Sequence, residues 1–244
     1  MNKIAAALAL SMALFVGFSC AERQRVPLAE IDRAIVDPKG TWSTKPGIGF
    51  SVISEDTTSY RSFSLNNLLV ASYAINDNLS LPIIPYPYII WQITKSPYAD
   101  PGMRDKWQFA LGAGLPNLGG RPDEYRIAGE LLFIWKKRIS SSIWYSGQVR
   151  GSLFYQHPMR WFSESGMLSN TVGFQLSQKA DVVTGFACGY GFFAAKKERM
   201  AFGEIPFGFH YNFSQYYSIY GGTNITANGK STGIGVYIGN EFYW

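Results

Sequence analysis

From Gly40 onward the chain alternates with a period of two over most of its length. Trp42, Thr44, Pro46, Ile48, Phe50 and Val52 interleave with Ser43, Lys45, Gly47, Gly49 and Ser51. Ile127, Gly129, Leu131, Phe133 and Trp135 interleave with Ala128, Glu130, Leu132 and Ile134, and the same rhythm recurs at 143–155 and 204–214. A period of two places one set of side chains on each face of a β-strand. The polarity of the two faces then decides what kind of sheet forms. One face is aliphatic and aromatic. The other is Gly, Ser, Ala, Thr and Gln with few charges, and charged residues are only 16% of the chain, against roughly 25% in a soluble domain. A water-facing sheet surface carries many Lys and Glu. Small uncharged residues suit a narrow interior, and bulky apolar ones suit lipid, which is the pattern of a transmembrane β-barrel.

Other classes are excluded. Aromatics at 16% and apolar residues at 47% are too many for a disordered chain. Two cysteines, Cys20 and Cys188, cannot form a disulfide scaffold. Beyond the N-terminus there is no apolar run of about 18 residues to make a spanning helix. The basic clusters Lys136-Lys137-Arg138 and Lys196-Lys197-Glu198-Arg199 are short and read as solvated turn charges, so no nucleic-acid partner is expected.

The first residues read as an address. Met1-Asn2-Lys3 is a short positive region, Ile4 to Phe18 is apolar, and Ser19-Cys20-Ala21 offers a cleavage site, so residues 1–21 form a signal peptide. Cys20 permits a second reading, lipidation of the mature N-terminus. Residues 22–39 carry charges with Pro27 and Pro38 and read as a loose N-terminal arm; a plug inside the barrel is the alternative. Residues 40–244 form the barrel. Eleven strand candidates lie near 40–53, 60–75, 78–93, 106–115, 125–136, 140–155, 166–178, 181–194, 202–213, 216–226 and 231–244. Single-chain bacterial barrels have even strand counts. One segment is therefore misread, and Pro82, Pro85 and Pro87 mark 78–106 as the place. The expectation is an all-β, single antiparallel barrel of about twelve strands, with ten as the alternative. The longer connectors are expected at 156–166 and 195–201, outside the cell.

The candidate luminal polar residues are Glu130, Arg150, Glu204 and His210. A turn near 137–139 places Glu130 opposite about residue 147, close enough to pair with Arg150, either to fill the interior or to set a pore charge. Glu204, His210, Asn212 and Ser214 share one face. Residues four apart on a strand are about 13 Å apart by rise alone, so His210 and Ser214 cannot form a catalytic pair without neighbouring strands. His157 reads as a loop residue. The tryptophans and tyrosines read as interfacial girdles. No spacing of His or Cys suits a metal, and no phosphate loop or cofactor motif is present.

Ile234, Val236, Ile238, Phe242 and Trp244 share one face, opposite Gly233, Gly235, Tyr237, Gly239, Glu241 and Tyr243. This segment resembles the terminal strand of bacterial outer-membrane β-barrel proteins. The resemblance implies an outer-membrane location and recognition of Ile238, Phe242 and Trp244 by the barrel-assembly machinery. Tyr73-Ala74-Ile75-Asn76-Asp77-Asn78-Leu79-Ser80-Leu81 looks like the tight periplasmic turn of such barrels. Pro38-Lys39-Gly40-Thr41-Trp42 is similar to the opening of a transporter-like class among them. The expected function is a passive channel or transport protein for small solutes. A structural or adhesive barrel with a filled lumen, its cationic loops against lipopolysaccharide and outer-membrane lipids, is the alternative, and a lipid-modifying enzyme ranks last.

Overall fold

The computed structural model describes residues 26–55, 58–66, 71–84, 88–121, 124–156, 161–193, 198–229 and 231–244. The expected signal peptide, Cys20 and His157 lie outside them. The strand segments are β1 (Trp42–Thr44), β2 (Gly47–Glu55), β3 (Thr58–Asn66), β4 (Ala71–Asn76), β5 (Leu79–Ile84), β6 (Tyr88–Gln92) and β7 (Gln108–Arg121). They continue with β8 (Glu124–Arg138), β9 (Ile143–Gln156), β10 (Trp161–Gln175), β11 (Ala180–Phe193), β12 (Glu198–Ser214), β13 (Tyr217–Asn228) and β14 (Ser231–Tyr243).

Neighbouring segments pair antiparallel in chain order, and the sheet closes where β14 meets both β1 and β2. β1 and β2 are one stave interrupted at Lys45 and Pro46, because proline has no N–H to give to the ladder. β3 and β4 belong to a second stave. Twelve staves result, the even count expected of a single-chain barrel. At the seam the Trp42 N–H donates to the Trp244 carbonyl at 2.7 Å, and the Trp244 N–H donates back at 3.0 Å.

The misread strand is 78–93. It is two short staves, β5 and β6. Among the described residues they share the pairs Leu79↔Trp91 and Ser80↔Ile90. Among the described residues, β3 and the 115–121 part of β7 have no strand partner on the edges that face this place. The connectors also differ from expectation. β9 runs on to Gln156 and β10 begins at Trp161, while β11 and β12 reach Phe193 and Glu198. The longest described connector is 93–107, which lies at the opposite end, beside the N-terminal arm.

Face polarity follows the alternation. Ile48, Phe50, Phe63, Leu131, Phe207, Ile234 and Ile238 point outward and are exposed. Their exposure is ordinary for a surface that lipid covers. Aromatic residues gather on the outer face near the arm end. Phe109 stacks on Phe133 at 5.8 Å, Trp107 meets Tyr145 edge-on at 6.1 Å, and Phe213 stacks on Tyr217 at 5.4 Å. This is an interfacial girdle.

The inner face admits large side chains only where a neighbour is small. Trp144 lies over Gly173, its cross-strand partner, and a Cβ on Gly173 would come within 2.0 Å of the indole. Gly173→Ala is therefore expected to dislodge Trp144 and destabilise the folded barrel by about 1–3 kcal/mol, read as a lower urea midpoint in detergent.

Candidate functional site

The arm is not loose. Its described part, Val26 to Lys39, lies inside one end of the barrel, with Val26, Ile31, Arg33 and Val36 buried. It has one short 3-10 turn, Glu30–Asp32, so most of its backbone N–H groups need partners from elsewhere. The wall supplies them through glutamines. The Ile31 N–H donates to Gln175 Oε1 at 3.2 Å, Ile35 to Gln108 Oε1 at 3.3 Å and Val36 to Gln92 Oε1 at 3.3 Å. Gln92, Gln108 and Gln175 stand at the ends of β6, β7 and β10. The Tyr98 hydroxyl from the 93–107 connector accepts from the Ala34 N–H at 3.1 Å. Each such bond stabilises docking by about 1 kcal/mol.

Charge fixes the arm more firmly. Arg33 donates to Glu241 Oε2 at 3.2 Å, to the Tyr243 hydroxyl at 2.8 Å and to Asn212 Oδ1 at 2.8 Å. Its guanidinium also pairs with Glu30 at 2.9 Å. Lys136 Nζ donates to the Glu30 carbonyl at 2.9 Å and lies 5.0 Å from the centre of the Trp144 ring. Arg138 pairs with Asp32 at 2.9 Å. Lys45 pairs with the other oxygen of Glu241. Burial alone would raise the Glu30 carboxyl, but Lys136, Arg33 and His210 outweigh it and hold it below the usual carboxylate range. Asp37 goes the other way: burial pushes it up, against the pull of Lys45 and the Ser43 hydroxyl.

His210 belongs to this network. Its Nε2 is 2.9 Å from Ser218 Oγ and 3.2 Å from Glu241, and its Nδ1 is 3.6 Å from Asp181. Neighbouring strands thus bring a serine, a histidine and an aspartate into line, β13, β12 and β11 in turn. Ser218 is fully buried and also donates to Glu241 at 3.3 Å. A nucleophile needs space for a substrate carbonyl and donors for its oxyanion. Glu241 occupies both the Ser218 hydroxyl and the imidazole. A cavity of about 240 Å³ sits above, lined by Trp144, Tyr220 and Tyr237 as well as Glu30, His210 and Glu241.

The other luminal candidates lie higher and apart. Glu204 accepts from Asn224 Nδ2 at 2.8 Å. Glu130 and Arg150 both face the lumen, but the register differs from expectation. Glu130 is opposite Ser152, and Arg150 is opposite Leu132. The cause is the turn: β8 continues through Lys136-Lys137-Arg138, and residues 139–142, with three serines, make the reversal. The two side chains meet diagonally, at 3.9 Å. So the expected four residues form no single site; only His210 joins the arm. The arm's receptors, Gln92, Gln108, Gln175 and Glu241, are missing from the sequence-based candidates. Their signal is a long polar side chain at inward parity close to a turn.

On the outer face, the Ile238 and Phe242 side chains point to lipid with Ile234 and Val236. A cavity of about 930 Å³ beside the β5–β6 seam is lined by Leu81, Ile89, Leu115, Leu131 and Leu153 of the outer face and by Tyr88, Glu130, Ser152 and Ser165 of the inner one.

No family model matches the chain, and no curated protein matches it. Solved structures do. An outer-membrane channel from Pseudomonas putida F1 matches with TM-score 0.56 at 8% identity, over 85% of this chain and 96% of that one. The CymD monoaromatic hydrocarbon channel matches with TM-score 0.47 at 8% identity, over 84% and 88%. OmpT of Vibrio cholerae matches with TM-score 0.41 at 9% identity, over 86% and 100%. The chain has the fold of bacterial outer-membrane β-barrel proteins.

Arg33→Ala leaves the Glu241 carboxylate short of a buried partner, a loss of about 3–5 kcal/mol. The expected result is an arm open to added protease while the barrel stays resistant. Glu30 gives docking a pH dependence. Its ionised form is favoured when docked, so its contribution is full above the free carboxylate range and is lost as pH falls through its lowered value. Protease sensitivity of the arm is expected to rise on acidification, and Glu30→Gln should remove that part of the response.

Proposed function

We propose that this protein is a passive outer-membrane channel for small solutes, whose lumen is sealed at the periplasmic end by its own N-terminal arm. The observation that carries the reading is how the arm is held. Its backbone is bonded by side chains, through Gln92, Gln108, Gln175 and Tyr98, and its charges face charges of the wall. A segment held by hydrogen bonds and ion pairs exchanges these for water when it leaves, whereas a packed apolar core has no such substitute. The arm is thus suited to release. A purely structural filler would more simply be apolar.

The test is single-channel conductance of the refolded protein in a planar bilayer, with and without residues 22–39. Truncation is expected to raise conductance several-fold. Silence in both forms, with heat-modifiable folding confirmed on a gel, would sink the channel and favour the structural or adhesive barrel. The β5–β6 seam and the cavity beside it, lined from both faces of the wall, favour a second reading, in which apolar solutes pass sideways between lumen and lipid. In that case uptake of an apolar dye into liposomes persists in the full-length protein while ion conductance stays low.

The proposal includes no cofactor, no metal and no catalytic role. The burial of Ser218 supports this, and a serine-directed fluorophosphonate is expected to leave Ser218 unlabelled in both forms. Lipopolysaccharide, membrane lipids and the barrel-assembly machinery are the proposed partners.

A further inference from the structure

The inner wall carries two adjacent rows of cross-strand partners halfway up the lumen. One row is Tyr88, Gly114, Glu130, Ser152 and Ser165. The next is Ile90, Gly112, Leu132, Arg150 and Met167. Cross-strand partners share a face, so Arg150 stands in a patch with apolar neighbours on its own row and hydroxyls on the adjoining one.

Arg150 is underused there. A guanidinium has five N–H donors in a planar fork. Among the described residues its contacts are the Met167 sulfur at 3.6 Å and Glu130 at 3.9 Å, beyond hydrogen-bond length. The two charges are also unequally presented. The Glu130 side chain is 14% exposed and the Arg150 side chain 42%. Tyr88, its ring packed over Gly112 and Gly114, donates its hydroxyl to Glu130 at 3.4 Å. The carboxylate is therefore drawn toward the wall while the guanidinium faces the lumen. Ser152 and Ser165 are hydrogen-bonded to each other at 2.6 Å, and both lie on the row beside it.

We infer that Arg150 is a binding site for the carboxylate of a small amphipathic acid. The guanidinium fork takes the two carboxylate oxygens side by side, the geometry in which arginine binds best. The apolar part of the ligand lies over Leu132, Ile90 and Met167. Glu130 tunes the site: its charge lowers the affinity for an anion, which keeps occupancy reversible, as a transport site requires. This inference deepens the channel reading by naming a solute class, but binding can be measured without any conductance.

The test is calorimetric titration of the refolded full-length protein in detergent with three probes of one shape: benzoate, benzamide and benzylammonium. Benzoate is expected to bind saturably, at least tenfold more tightly than either of the others. Arg150→Gln should lose that preference, Arg150→Lys should keep part of it, and Glu130→Gln should strengthen benzoate binding several-fold. A residue that merely filled the lumen would leave the three probes equal. Each variant is first checked for heat-modifiable folding, and Arg150→Lys retains a cation if Arg150→Gln fails that check. Equal binding of benzoate and benzamide, no benzoate binding by the folded protein, or an unchanged preference in Arg150→Gln would overturn the inference. A silent bilayer with intact benzoate binding would count against the channel alone, and a conducting barrel without that binding would count against this site alone.

Discussion

A strand that crosses hydrocarbon cannot leave its backbone amides unpaired, because no water is there to take them. Nearly every feature of this barrel answers that demand. The twelve staves pair in chain order and close between β1, β2 and β14. Where proline interrupts the ladder, at Lys45-Pro46, the stave breaks. With the wall satisfied in itself, each strand has one face for lipid and one for the interior, and the interlocked charges lie in the interior.

The arm meets the same demand by another route. It is neither strand nor helix for most of its length, and it lies half-buried inside the barrel end. Glutamines at the strand ends act as detached acceptors for it. Acids and bases at that end of the lumen then come as an interlocked set, Glu30 with Arg33 and Lys136, and Glu241 with Arg33, Lys45 and His210. Buried charge is costly unless it is paired, and here arm and wall each hold part of the pairing. Halfway up the lumen the arrangement differs. Arg150 is left with loose contacts because its neighbour Glu130 is held by Tyr88.

Alternation and the polarity of its two faces made the barrel legible, since both are set residue by residue. The doubtful region marked by Pro82, Pro85 and Pro87 holds two strands, β5 and β6, with Pro82 inside β5 and paired with Ser72. Register was less accessible. Hairpin register is decided by where the reversal sits, and Lys136-Lys137-Arg138 look like turn residues although they extend β8. The inward parity of Glu130 and Arg150 rests on the alternation within each strand rather than on the position of the reversal. The seated arm was not legible. Its amides bond to glutamines that lie far away in the chain, and a glutamine at a strand end has no local signature of what it will accept. The Ser218–His210–Asp181 alignment was hidden for the same reason: it joins three strands, and along one strand the residues are too far apart.

The arm's anchor has a consequence for the order of assembly. Arg33 is bound by Glu241 and Tyr243, partners that follow it by 208 and 210 residues. The first described segment of the chain therefore has no berth until the last strand is in place. Contacts so distant in sequence form late, so a barrel still being built has an open end and an unseated, highly charged leader. Seating of the arm is then the final step of maturation, and it coincides with closure of the wall, because β14 supplies both the last seam and the arm's socket.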